Sequence, residues 1–322
     1  MMADVSFVIP THDRPGYLAE AVGSIFAQTV RPREIIVVDN GRGTAAAEAL
    51  APFGDRVRLV QSEPRSVQIA RNTGFSEAVA TWVATLDDDD ILQPDYLAAA
   101  LPLLDDHRVD IVSTDHRKFR GRIFEDRTNF EQAPLGYWDG VARAGEQTFV
   151  GRFPLAKLLQ RIPAYPSTTI IRRSFALGIG GYDPAMRGIP AEDIEFLVRA
   201  LTYGNLGLVW QPLVDYRLHD GNDSASVIGQ KIGRWRIFEY IRRAHRDLPP
   251  DFVAALDADL PLRRVDIYKT ACRIGDRALM DEVADMLLPG DWTLDMRART
   301  MLTRAPLAVR RQLRYGTNIE SA

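Results

Sequence analysis

An α/β fold is predicted, with a mostly parallel sheet flanked by helices and a helical C-terminal extension, and three observations carry that prediction. Short β-branched runs alternate with longer helical patterns through the first hundred residues, as a parallel sheet with crossover helices requires. Acids and turn formers collect at the carboxyl ends of those runs. Beyond about Ser226 the pattern turns almost wholly helical.

Taken in order, strands are expected at Val5 to Ile9, Glu34 to Val38, Val57 to Gln61 and Trp82 to Leu86. Helices fill the gaps at Pro15 to Gln28, Thr44 to Leu50, Val67 to Val79 and Pro94 to Leu104, two of them opening on a proline. A strand at Asp110 to Thr114 leads into "HRKFRGRIFE", where Gly121 suggests a hairpin turn. Asp126 to Gly151 is aromatic and glycine-bearing without periodicity, and reads as a mobile loop region. A second α/β portion follows: "STTIIRR" as strand, "EDIEFLVRALTYG" as a helix ending at Gly204, then "LGLVW" and "VDYRL" as strands. The expected division is one unit over residues 1–226, with halves meeting near residue 115, and a helical extension over 227–322.

Composition narrows the function. At 322 residues with 46% hydrophobic content the chain can bury a sizeable core. The 40 basic and 43 acidic residues nearly cancel, so nothing global suggests a nucleic-acid partner. Cys272 is alone and the five histidines lack zinc-site spacing, which fits a reducing, cytoplasmic compartment. "MMADVSFVIP" has neither the basic nor the long apolar region of a secretory signal, and runs such as Leu206 to Trp210 fall short of the roughly 20 residues that span a bilayer. A soluble or peripheral protein is expected.

The most informative stretch is "TLDDDDILQPDYL", which sets Asp87 to Asp90 directly after a buried strand. In open α/β sheets ligands bind outside the carboxyl ends of the strands, and "PTHDR" and "DNGRG" end two other strands on the same edge. A helix cap near Pro94 would explain one or two of the aspartates, but not four. A divalent cation among them would, and Mg²⁺ or Mn²⁺ commonly shares its oxygen ligands with a substrate phosphate. The glycine and glutamate spacing of an EF-hand is missing after Asp87, and the acid pair of a phosphorylated receiver module is missing after the first strand.

Five motifs in order, "VSFVIPTHDRPGYLAEAVGSIFAQTVRPREIIVVDNG", "ARNTG", "LDDDDILQPDYL", "GGYDPAM" and "AEDIEFLVR", resemble a family 2 glycosyltransferase of the GT-A fold over roughly Val5 to Ser226. The resemblance implies a nucleotide-sugar half and an acceptor half. Pro10 and Thr11 match the turn against the base, Asp39 the acid that bonds the base, and Arg71 and Asn72 the "ARN" element beside the nucleotide. Asp87 and Asp89 match the two acids of the DxD motif, the second being the usual metal ligand, with Asp88 on the nucleotide side. Asp193 matches the general base, with Gly181, Tyr182, Asp183 and Glu192 on the acceptor side. His219, in "VDYRLHDGNDSAS" with Arg217 and Ser224, matches a histidine that approaches metal or diphosphate. Two departures stand out: Asn40 replaces a second acid after Asp39, and "EPRSVQIARN" carries Arg65, Ser66 and Gln68 where glycine is common.

The expected activity is therefore metal-dependent, inverting transfer of a sugar from a nucleotide sugar, uridine favoured, to a hydroxyl of a glycan, lipid-linked or small-molecule acceptor, as in bacterial glycan synthesis. The alternatives are a sugar-phosphate nucleotidylyltransferase, whose glycine-rich opening and lysine "PTHDRPGY" lacks, and a nucleotide-sugar-binding protein without turnover, which the intact Asp193 speaks against. In the tail, "KIGRWRIFEYIRRAHR" and the stretch from Arg297 to Gly316 are strongly basic. They read as a solvated face whose apolar residues pack on the first unit or on a second subunit of a homo-oligomer, with peripheral contact to an anionic membrane as the competing reading.

Overall fold

The structure is a computed structural model that describes residues 1–62, 66–141, 145–219, 221 and 226–304. Arg65, Ser224 and the basic stretch beyond residue 304 lie outside the described residues. In chain order the elements are β1 (Met2–Thr11), α1 (Pro15–Phe26), β2 (Arg31–Asp39), α2 (Ala45–Leu50), β3 (Arg58–Gln61), α3 (Val67–Glu77), β4 (Trp82–Thr85), β5 (Ile91–Leu92), α4 (Tyr96–Leu104), β6 (Ile111–Arg120), β7 (Ile123–Phe124), β8 (Gln147–Gly151), β9 (Thr169–Arg172), α5 (Arg173–Gly178), α6 (Asp193–Tyr203) and β10 (Leu206–Arg217). The helices α7 (Val227–Ala244), α8 (Pro250–Ile274), α9 (Arg277–Ala284) and α10 (Leu294–Arg304) follow. None of the described helices is long and apolar enough to cross a membrane.

One sheet runs β3-β2-β1-β4-β9-β6-β10-β5, with β7 on β6 and β8 on β10. The strands β3, β2, β1 and β4 are parallel, β9 is antiparallel to both its neighbours, and β6 and β10 are parallel to each other. Strand order reverses at β1, which has β2 on one side and β4 on the other, and it is outside such a switch point that α/β sheets hold ligands. The alternation of side chains along a strand divides the core in two. Val8, Ile36 and Val38 face one cluster, while Phe7, Ile9, Ile35 and Val37 face the other.

Two expectations are corrected. "LGLVW" and "VDYRL" form the single strand β10, which continues through Pro212, paired with Asp115, by register shifts on either side because the proline has no N–H to donate. The described part of Asp126 to Gly151 is packed rather than loose. Phe130, Trp138 and Trp210 meet edge-to-face, with ring centroids 4.8 to 5.5 Å apart, and β8 adds to the edge of β10. Trp138 Nε1 donates to the Phe130 carbonyl and Tyr137 Oη to that of Arg161. Aromatic packing without periodicity leaves no pattern in the sequence.

Helix α3 lies very close to β1 because Gly74 has no side chain: a Cβ there would sit 2.1 Å from Val8 Cγ1. That approach carries Arg71, one turn earlier, to the strand ends. Gly74→Ala should gain about 1 kcal/mol of helix propensity yet lose about 1 to 3 kcal/mol net, because the crowded helix must move. Urea denaturation with no fall in the midpoint would contradict this packing.

Candidate functional site

A cavity of about 510 Å³ opens at the carboxyl ends of β1 and β4. It is lined by the β1 turn (Pro10, Thr11, His12, Arg14), by Gln68 and Arg71 of α3, and by Asp87 to Asp89. The opposite wall is the segment Gly188 to Ile194, with Tyr165, Pro166 and Tyr216, and with Gln230 and Arg234 of α7.

The four aspartates are held individually. Asp88, Asp89 and Asp90 are 5%, 7% and 1% exposed, so each needs partners. Thr11 Oγ1 donates to Asp88 at 2.7 Å. Arg14 Nη1 reaches Asp89 at 2.9 Å and Asp88 at 3.4 Å, while its Nη2 donates to the Gly221 carbonyl. Arg71 bridges Asp87 at 2.7 Å and Glu192 at 3.0 Å, and its buried Nε has no partner among the described residues. Ser167 Oγ donates to Asp90 at 2.6 Å and accepts from the Asp87 amide. The Arg217 amide donates to Asp90 and its Nε to the Asp89 carbonyl. Burial lifts Asp88 to about 6 despite the Thr11 bond, and burial with the neighbouring acids raises Asp89 and Asp90.

His219 Nε2 lies 3.0 Å from the Asp89 Oδ2 that also meets Arg14. Among the described residues no group of three or more His, Cys, Asp or Glu converges as a metal cage. Asp89 and His219 together still fit a Mn²⁺ or Mg²⁺ that shares its other ligands with phosphate and water. The acidic character agrees: among the described residues, Asp87, Asp88, Asp89 and Glu192 share the guanidiniums of Arg14 and Arg71.

Across the cavity, Ala191 adopts φ +65°, a left-handed conformation that costs a non-glycine residue about 1 to 2 kcal/mol. The turn it makes puts Glu192 and Asp193 on the cavity wall at the start of α6. Burial, then repulsion from Glu192, raises the Asp193 carboxyl to about 7, with Arg71 pulling the other way. A carboxylate so poised can accept a proton near neutral pH.

Of the residues singled out from sequence, Pro10, Thr11, Arg71, Asp87, Asp88, Asp89, Glu192 and Asp193 line this one cavity. Gln68 and Asn40 line it too, whereas Asp39, Asn72, Gly181, Tyr182, Asp183 and His219 are not part of its lining. Asp39 accepts from the Gly41 amide and from Gln61 Nε2, and it is the neighbouring Asn40 that reaches the cavity. Asn72 grips the Tyr182 backbone through both its carbonyl and its amino group. Gly181 sits where a Cβ would be 2.4 Å from Asn72 Oδ1. Tyr182 stacks on Phe196 and lies under the Arg71 guanidinium, and Asp183 accepts from Tyr240 Oη of α7. Arg14 and Ser167 bond the aspartates, and Tyr165 and Arg234 line the cavity, without having been assigned from sequence. Only Arg14 had a signal, lying inside "PTHDR" at a strand end.

Residues 6–177 match the family model described as glycosyl transferase family 2. Among curated relatives, the glycosyltransferase GlyA of Streptococcus pneumoniae serotype 4 is 26% identical over 118 residues, which is 36% of this chain and 17% of that protein. Succinoglycan biosynthesis protein ExoO of Rhizobium meliloti is 34% identical over 127 residues, 36% of each chain. The match thus spans well under half the length of these relatives. Among solved structures, S. aureus TarS 1–349 in complex with UDP-GlcNAc superposes with TM-score 0.61 at 17% identity, covering 98% of this chain and 93% of that one. The mannosyltransferase PcManGT of Pyrobaculum calidifontis, in complex with GDP-Man and Mn2+, gives 0.58 at 17% identity, covering 97% and 79%. These structures share the GT-A type fold.

Arg71→Met would leave Asp87 and Glu192 without their shared cation. Because breaking a buried pair from one side costs about 3 to 5 kcal/mol, a loss near 3 is expected for these partly accessible acids. Unchanged stability in denaturant titration would show that the bridge carries no energy.

Proposed function

The chain belongs to glycosyl transferase family 2, and from that premise we propose that it moves a sugar from a nucleotide-sugar donor to an acceptor hydroxyl, with inversion, using Asp193 as the base. The observation that carries the proposal is the cavity itself, where the aspartates at the end of β4 face a carboxyl poised near 7 across a space of about 510 Å³. Related folds solved with UDP-GlcNAc and with GDP-Man and Mn2+ support a nucleotide sugar as donor. Relatives in succinoglycan biosynthesis support a glycan product.

In this reading the nucleotide lies along the β1 turn, against Pro10, Thr11 and Asn40, with its diphosphate toward Asp89. Asp89 and His219 would hold Mn²⁺ or Mg²⁺, which supplies positive charge to the departing diphosphate. Arg14 guides the diphosphate, and Arg71 fixes Asp87 and Glu192 on either side of the sugar. Asp193 removes the acceptor proton as the acceptor oxygen attacks the anomeric carbon from the face opposite the diphosphate. The bond from carbon to phosphate oxygen breaks, its electron pair leaves with the nucleoside diphosphate, and the proton stays on Asp193. Behind the wall, the grip of Asn72 on the Gly181 to Tyr182 turn holds Arg71 and α6 in register.

Membrane contact would have to come from the basic helices. On α7, Arg236 pairs with Glu282, Arg242 with Asp257 and Lys231 with Asp266, while Trp235, Ile237 and Phe238 are buried. These pairings support a helix docked on its own chain.

Only the ionised Asp193 can accept the proton, so kcat/KM should rise with pH through about 7 and then level off. Asp193→Asn should lower transfer by about 100-fold or more, abolish that limb and leave nucleotide binding in place. Full transfer by the variant would end the base assignment.

A further inference from the structure

Among the described residues, Arg14, Arg71, Arg161 and Arg263 around the cavity each have an acid or several acceptors, and Arg234 does not. Arg14 and Arg71 are taken by the aspartates and Glu192. Arg263 pairs with Asp259 and donates to the Leu159 carbonyl. Arg161 is bonded to Asn129 and Gln132. Arg234, which lines the cavity, makes no ion pair among the described residues: its single hydrogen bond is a long one, 3.4 Å to the Leu158 carbonyl, and its Nε is buried with no partner.

Its placement is built into the fold. At Gly233 a Cβ would lie 2.1 Å from the Pro190 carbonyl oxygen, so only glycine lets α7 press against the segment that carries Ala191, Glu192 and Asp193. Gln230 and Arg234, four residues apart on one helix face, thereby reach the cavity wall. The electrostatic neighbours of the Arg234 guanidinium are Arg263, Tyr165, Asp193 and Asp259; burial, then the like charge of Arg263, works against its protonation, while Tyr165 and the two acids favour it from beyond ion-pair distance. A half-buried cation with no described acid at ion-pair distance is costly to keep. A ligand that brings the counter-ion relieves the cost.

We propose that Arg234 receives an oxyanion, a carboxylate or phosphate, carried by the acceptor, so that the acceptor is an anionic sugar or a phosphate-bearing one. The inference rests on the transferase reading for the word acceptor. The nucleotide end has Arg14 and Arg71 of its own, whereas Arg234 stands on the α7 wall near Asp193, where the attacking hydroxyl must lie. A guanidinium binds either oxyanion in a bidentate manner, which would orient the sugar as well as hold it.

The test is a binding titration of the full chain, followed by saturation-transfer NMR at constant ionic strength, with D-glucuronate, D-glucose 6-phosphate and D-glucose, in the presence of UDP and Mn²⁺. The two anions should bind about 10-fold or more tightly than glucose. Arg234→Gln should erase that preference, leave glucose and UDP binding unchanged, and melt no lower than the parent, as a residue held for structure would not. Arg234→Lys should retain part of the preference. Equal binding of the three sugars, or a preference that survives in Arg234→Gln, overturns the proposal. An Arg234-dependent preference for UDP-glucuronate over UDP-glucose, with none among the free sugars, assigns the oxyanion to the donor and overturns it too. Intact UDP binding without anion preference removes this inference alone. An Arg234-dependent anion site in a chain that binds no nucleotide keeps the site and removes the transferase reading.

Discussion

Four consecutive carboxylates at the end of a buried strand are the constraint on which the rest of the molecule depends. Repulsion and desolvation both act against them, and the fold answers by bringing partners from distant parts of the chain. Arg14 comes from the turn after β1, Arg71 from α3, Ser167 from the segment before β9 and Arg217 from β10. The sheet order makes these meetings possible. β4 lies between β1 and β9, and β5, directly after the aspartates, pairs with β10 so that Arg217 closes over Asp89 and Asp90.

The same arrangement explains why the opposing wall is strained. For Asp193 to face the aspartates, the chain must turn sharply at Ala191, and Arg71 must bridge the two walls by holding Asp87 with one nitrogen and Glu192 with another. Asn72 grips the Tyr182 backbone, Tyr182 stacks on Phe196 of α6, and α7 presses on Pro190, next to the turn, at Gly233. The C-terminal helices thus take part in building the site. Their apolar face completes the core cluster that includes Tyr182 and Phe196.

Much of this was legible in the sequence because it depends on local pattern. The boundaries of α1, α3, β2 and β4 fall within about three residues of the expected ones, since β-branched runs, prolines and glycines mark them. The acids of the site were legible as acids at strand ends. Their partners were not: Arg14 lies 74 residues from Asp88 and Arg71 lies 121 from Glu192, distances no local pattern spans. Asn72 and Gly181 show the same limit, because a motif reports that residues belong together without saying which of them face the cavity. Arg234 sat in a basic amphipathic stretch whose charges read as one face, and only the close approach at Gly233 separates it from Arg236 and Arg242.

The most direct test of the account is a thermal-shift panel of UDP, dTDP, GDP and CDP, each with and without Mn²⁺. A ligand that binds only the folded state at 100 times its Kd adds about 2.7 kcal/mol of stability. The account predicts that one nucleoside diphosphate raises the melting temperature by several degrees, that the gain requires Mn²⁺, and that it disappears in Asp89→Asn. No shift with any nucleotide, or a shift indifferent to both Mn²⁺ and Asp89, would contradict it.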